Sequence, residues 1–168
     1  MKILIVAATH FEILPLLEEL PKLYPATENG TFKNKEHEIR VLITGVGLMH
    51  TAFALGNLLS QYRPDFAINL GICGSFDKAL KIGEVVHVIA EANGDLGSEE
   101  QDGGFKDVFE MGLIDMNQAP YINGRLYNPA SGFDFLSSVR GVSVNKVHGN
   151  AESISKIVKK YEADIESM

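Results

Sequence analysis

The sequence predicts an α/β sandwich with a mixed sheet, on three observations. The apolar runs "KILIVAA", "DFAINLGICGSF" and "IGEVVHVIAEAN" are continuous and end in small or polar residues, as strands buried on both faces do. Segments with apolar residues at helical spacing lie between or after them. The chain has 168 residues, 45% of them hydrophobic, which suffices for one sizeable core, so residues 1–168 read as a single domain.

The elements follow in order. "KILIVAA" is the first strand, and "HFEILPLLEEL" turns it into a helix with Phe11, Leu14, Leu17 and Leu20 on one stripe and Pro15 in its first turn. "GTFK" and "HEIRVLITGVG" flank "NKE" and predict a hairpin whose second arm enters the sheet. "LMHTAFALGNLLSQY" is a helix that ends before Pro64. The strands "DFAINLGICGSF" and "IGEVVHVIAEAN" come next. From Asn93 to Ala130 the periodicity disappears under Gly, Asp, Asn and Pro, a span longer than an ordinary connection and typical of a lid or binding loop. "RGVSVNKV", "NAESISKIVKKY" and "ADIESM" then restore strand, helix and strand.

Composition excludes several classes of partner. A net charge of −7 with four arginines (Arg40, Arg63, Arg125, Arg140) leaves no basic stripe for nucleic acid or for an anionic membrane surface. No apolar run is long enough to span a bilayer, and "ILIVAA" is too short for a signal-peptide core, so a cytoplasmic location is expected. The single cysteine, Cys73, cannot form an intramolecular disulfide, and as a cysteine after an apolar strand it reads as a packing residue. The histidines at 10, 37, 50, 87 and 148 lack metal-site spacing, so no metal is expected. "TGVGLMH" places Gly45 and Gly47 between strand and helix but has His50 where a dinucleotide fingerprint needs its third glycine; a tight turn is the plainer reading, and no cofactor is expected. Glu12 stands just past the first strand, where open α/β sheets place their ligand crevice, although a carboxylate there also suits a helix start.

Taken in order, "MKILIVAATHFEI", "TGVGLMHTAFAL", "INLGICGSF", "LKIGEVVHV", "GDLGSEEQDGGF" and "ADIESM" resemble the purine nucleoside phosphorylase and nucleosidase superfamily. Within it they resemble the branch of methylthioadenosine/adenosylhomocysteine nucleosidase and futalosine hydrolase; the acidic, Gly-rich "GDLGSEEQDGGF" is similar to the second of these. The resemblance implies a three-layer, phosphorylase/hydrolase-like sandwich and cleavage of a purine N-glycosidic bond. It gives Glu12 the task of activating water, and Gly71, Ile72, Cys73 and Met168 the lining of the substrate site. Thr9 stands where the methylthioadenosine subgroup has methionine, and Val147 and His148 lie near the purine-stacking position.

"GICGS" departs from the "GSAGG" of methylthioadenosine nucleosidases, and no arginine lies near Thr9 or Gly71 to cradle phosphate. The resemblance therefore implies a futalosine-type hydrolase releasing hypoxanthine, or adenine from the amino analogue, on a route to menaquinone. Its partner is a small purine nucleoside, its assembly a homodimer. A methylthioadenosine/adenosylhomocysteine nucleosidase and an inactive nucleoside-binding protein are the alternatives. The family's ribose-holding glutamate would follow Met168 directly and its purine-protonating aspartate later still; Glu166 and Ser167 are out of register for the first task. Residues 1–168 are thus expected to be a C-terminally incomplete portion of a longer enzyme, inactive alone.

Overall fold

The structure, a computed structural model, describes residues 1–27 and 30–168, and the chain divides into two units, Met1–Ile72 and Cys73–Met168. The first unit holds β1 (Lys2–Ala7), a 3-10 turn (Phe11–Ile13), α1 (Leu14–Leu23), β2 (Thr31–Lys33), β3 (Glu38–Ile43), α2 (Leu48–Leu59) and β4 (Phe66–Asn69). Its sheet runs β2-β3-β1-β4. β1 is parallel to both neighbours, with Ile3 opposite Ile39 on one side and Phe66 on the other, while β2 is antiparallel to β3. The central position explains the unbroken apolar run: Leu4, Ile5, Val6 and Ala7 are all buried. The predicted hairpin is present, and the Asn34 side chain closes it by accepting the N–H groups of Glu36 and His37 at 2.9 and 2.7 Å.

The first helix keeps Pro15 in its opening turn as expected, and its apolar stripe matches the predicted one at Leu20 but not at its start. Phe11 is 88% exposed and Leu14 is exposed, whereas Leu20, with Leu16 beside it, packs on Ile5, Phe32 and Ile39. The 3-10 turn before Leu14 advances about 120° per residue instead of 100°, so a stripe counted from Phe11 falls out of phase. The helix also continues through Pro21 to Leu23. α2 ends at Leu59, before Pro64 as predicted, and none of its residues is buried.

The second unit contains β5 (Gly74–Ser75), β6 (Val86–Asn93), β7 (Gly97–Glu99), β8 (Phe105–Asp107), β9 (Leu126–Tyr127), β10 (Ser137–Ser143), α3 (Ala151–Tyr161) and β11 (Ile165–Ser167). Its sheet runs β5-β11-β10-β6-β9, with β6, β10 and β11 parallel and the two edge strands antiparallel. Each unit is therefore a mixed α/β assembly, in keeping with the predicted class. α3 lays Ile157 and Tyr161 on Val142 and Val144, with Ala92 and Ala163 completing the core. Asn150 caps its start by accepting the Ser153 N–H at 3.0 Å, and Glu162, left-handed at φ 44°, ends it. Gly94 lies against the same core: a Cβ there would come within 2.6 Å of the Val142 side chain and 2.8 Å of Val144.

The segment without periodicity contains ordered pieces. β7 and β8 pair Gly97 with Asp107 and Glu99 with Phe105, and Phe109 meets Tyr121 edge to face. Lys160 of α3 ties the segment down, donating to the Phe105 carbonyl at 3.0 Å, pairing with Asp107 at 3.4 Å and binding Glu110. Strands of three residues are too short to show alternation in sequence. No helix among the described residues is long and apolar enough to cross a membrane.

Candidate active site

In the first unit the chain leaves β1 at Ala7 and turns at once, so Thr9 and Glu12 face the strand's carboxyl end. Glu12 Oε2 accepts the Thr9 N–H at 2.6 Å and the Thr9 hydroxyl at 3.0 Å, and Oε1 accepts the Ile72 N–H at 3.3 Å. Gly71 passes so close that a Cβ would lie 3.1 Å from Oε1. Four of the residues chosen from the sequence, Thr9, Glu12, Gly71 and Ile72, thus form one cluster at the ends of the adjacent strands β1 and β4. All three donors are N–H or O–H groups, so both oxygens of the carboxylate accept hydrogen bonds. The long Ile72 bond leaves Oε1 able to accept a further proton donor such as water. Ile72 is itself 77% exposed.

Gly45 and Gly47 have φ values of 85° and 97°, and Gly47 sits at the start of α2, so "TGVG" is built as a tight strand-to-helix turn that favours glycine.

In the second unit Cys73 is exposed, which corrects the packing role expected of it: β4 ends at Asn69, and the chain has left the sheet before the cysteine. Partial desolvation, then the nearby Glu91 carboxylate, still push its thiol pKa upward, so it stays protonated and weakly nucleophilic. Val147 and Met168 are exposed, while His148 is held: its backbone N–H donates to Glu166 Oε2 at 2.9 Å, and its ring Nδ1 is bonded to Glu166 Oε1. Glu166 is 5% exposed, and Ser167 next to it turns the other way toward Ser143, with the two hydroxyls 3.3 Å apart.

Sequence reasoning gave Glu166 no positive part in the site and missed Glu91 altogether. Glu91 sits on β6 opposite Gly141 of β10, and its Oε1 accepts the Ser143 hydroxyl at 2.9 Å. Gly141 makes the space: a Cβ there would fall 2.2 Å from Glu91 Oε2. Burial raises the Glu91 carboxyl pKa to about 7, against the smaller lowering effects of the Ser143 bond and the Arg125 charge. A charged residue within the apolar run "VVHVIAEAN" was the available signal. Among the described residues no group of three or more His, Cys, Asp or Glu is placed to hold a metal ion.

A family model described as the phosphorylase superfamily matches residues 2–130. This chain belongs to that superfamily. Among curated relatives it is 31% identical over 127 residues to a 5'-methylthioadenosine/S-adenosylhomocysteine nucleosidase of Maridesulfovibrio salexigens, an alignment covering 72% of this chain and 52% of that protein. A nucleosidase of the same description from Lysinibacillus sphaericus is 33% identical over 92 residues, covering 51% of this chain and 39% of the relative. The chain spans about half the length of the first of these relatives, 52%, and less of the second. Solved structures of the superfamily share the fold: the Campylobacter jejuni 5'-methylthioadenosine/S-adenosyl homocysteine nucleosidase superposes with a TM-score of 0.74 at 20% identity, over 100% of this chain and 75% of its own. Futalosine hydrolase of Helicobacter pylori gives a TM-score of 0.74 at 17% identity, over 100% and 74%.

Proposed function

We propose that the protein is a nucleosidase that hydrolyses the N-glycosidic bond of a small purine nucleoside, with Glu12 positioning and deprotonating the attacking water. The observation that carries this reading is the Glu12 cluster, a carboxylate fixed by three donors at the ends of two parallel strands beside a bare glycine. As the bond to the base breaks, positive charge grows on the sugar, and a fixed carboxylate with a free lone pair can both stabilise that charge and take a proton from water. Thr9, Gly71, Ile72, Cys73, Val147, His148 and Met168 are the residues read as the substrate's surroundings, and residues 1–168 as one nucleosidase domain.

Hydrolysis is preferred to phosphorolysis because the arginines are engaged elsewhere. Arg40 stacks on Tyr62, Arg125 donates to the Tyr161 carbonyl, and Arg140 pairs with Glu162 at 2.9 Å. Arg63 precedes β4, at the opposite end of that strand from Gly71.

For the substrate, the "GDLGSEEQDGGF" segment and the "GICGS" departure support futalosine or its amino analogue, and with it a place in menaquinone synthesis. The names of the curated relatives support methylthioadenosine and adenosylhomocysteine as the second reading. A cytoplasmic homodimer belongs to the same proposal; Met49 and Phe53 of α2, 77% and 78% exposed, support a covered face. The test is to incubate the polypeptide, with whatever its gene encodes beyond Met168, with each of these four nucleosides in phosphate buffer. Free purine and free sugar are the expected products. Sugar phosphate as the main product, or no release from any of the four, refutes the reading.

A further inference from the structure

The two oxygens of Glu12 are held unequally, and one residue makes the difference. A carboxylate offers about four lone-pair sites, two on each oxygen. Thr9 fills both of those on Oε2, with its backbone N–H at 2.6 Å and its hydroxyl at 3.0 Å, while Oε1 receives the Ile72 N–H at 3.3 Å. The backbone bond can form with any residue but proline at position 9; the second bond needs a hydroxyl on the side chain. Gly71 gives the contrast at the other oxygen. Among the described residues, its chain neighbours aside, a Cβ there would meet only the Glu12 side chain, Oε1 at 3.1 Å and the carboxyl carbon at 3.7 Å. Oε1 is thus the oxygen with an unused lone pair, beside a residue without a side chain. Thr9, Glu12, Gly71 and Ile72 all belong to the first unit.

We propose that Thr9 is a positioning residue: its hydroxyl saturates Oε2 and fixes the carboxyl plane, so that Oε1 is the oxygen that takes the proton from water. The inference rests on the nucleosidase reading for the reaction, whereas the unequal sharing of donors does not. In the step it serves, the water oxygen bonds to the anomeric carbon of the sugar and the electron pair of the carbon–nitrogen bond leaves with the purine, which takes up a proton, while the water's proton passes to Oε1. The Thr9 hydroxyl has one hydrogen and directs it to Glu12, so its removal acts on the rate and not on the hold on the nucleoside. Without it the carboxyl keeps a single bond to Thr9 and turns more freely. Loss of a hydrogen bond of this kind corresponds to about a tenfold fall in rate.

The experiment is a double-mutant cycle in the full-length polypeptide, with Thr9→Val, Glu12→Gln and the two combined. Purine release is followed from futalosine, its amino analogue, methylthioadenosine and adenosylhomocysteine. Valine keeps the shape and the backbone N–H but has no hydroxyl, and Thr9→Ala repeats the test without a branched side chain. Thr9→Val is expected to lower kcat about tenfold with KM changed by less than about twofold, and Thr9→Ser to restore kcat. In the Glu12→Gln background the same change should alter kcat by less than about twofold, since Thr9 acts through the carboxylate. Gly71→Ala, which crowds Oε1 and leaves Oε2 alone, should lower kcat at least as far as Thr9→Val. An unaltered kcat in Thr9→Val and Thr9→Ala overturns the proposal, as does an equal loss with and without Glu12. A raised KM at unaltered kcat overturns it too, because Thr9 would then be a substrate contact. Full turnover in Gly71→Ala removes Oε1 as the proton acceptor. If Glu12→Gln slows the reaction and the Thr9 variants do not, this inference falls and the nucleosidase reading stands. If the unaltered protein releases purine from none of the four nucleosides, both fall.

Discussion

The two units each hold a carboxylate near the carboxyl ends of parallel strands, and they treat it in opposite ways. Glu12 in the first unit is reached by two backbone N–H groups and a hydroxyl, which fix both of its oxygens. Glu91 in the second has a single hydroxyl donor, Ser143, and is pressed against Gly141, where burial favours the neutral form and moves its pKa to about 7. The same residue type is held in place by three donors in one unit and pushed toward its neutral form by burial in the other. The difference separates a residue suited to chemistry from one that governs stability.

The largest effect that tests this contrast is on turnover. In a full-length version, Glu12→Gln keeps the shape and some of the hydrogen bonds but cannot take a proton, and turnover should fall by a factor on the order of 10² to 10⁴ with nucleoside affinity little changed. Steady-state kinetics beside calorimetric binding checks it; an unaltered kcat would place the base elsewhere.

Glu91→Gln should do the reverse, sparing the chemistry of Glu12 and changing stability with pH. A folded-state pKa of about 7 against an ordinary 4.5 means the carboxyl's contribution to stability is complete below pH 4.5 and is lost as the pH rises through 7. The gap corresponds to about 3 kcal/mol at most. Urea unfolding at pH 5 and pH 8 should therefore show the unaltered protein losing stability across that interval and the Gln variant losing less. Parallel pH dependence in the two proteins would remove Glu91 from the comparison.

A third change probes the core on the opposite side of the same sheet. Gly94→Ala forces a methyl into contact with Val142, Val144 and Ile157, and overpacking of this kind costs about 1–3 kcal/mol. Thermal unfolding should register it at every pH, unlike Glu91→Gln. The smallest effect is expected from Asn150→Ala, which removes the cap on α3 at a cost of about 1 kcal/mol. Because that cap follows directly on His148 and Gly149, amide exchange in this segment should rise more than in β6. Uniform acceleration over the whole unit would show that the loss is global.

Much of the fold was legible because buried parallel strands impose a pattern that survives in sequence. β1 is apolar throughout since both of its faces are covered, and the hairpin at Asn34 and the cap at Asn150 each rest on a local side-chain bond. Local rules failed where phase or length hid the signal. The 3-10 turn at Phe11–Ile13 shifted the stripe of α1, and the β7–β8 hairpin was too short to announce itself.

The candidate site divides along the same line. The sequence by itself determined that Glu12 follows a buried strand, that glycines stand at the turns, and that the chain resembles a nucleosidase family. Only the tertiary structure decided that Gly71 and Ile72 meet Glu12 across a separation of 60 residues, that Cys73 is exposed, and that Glu91 rests on Gly141. It also decided that Glu166 turns inward to take both donors of His148. The physical reason is that periodicity and turn chemistry act over a few residues, whereas a carboxylate's charge state depends on which distant donors, glycines and apolar groups the fold brings against it.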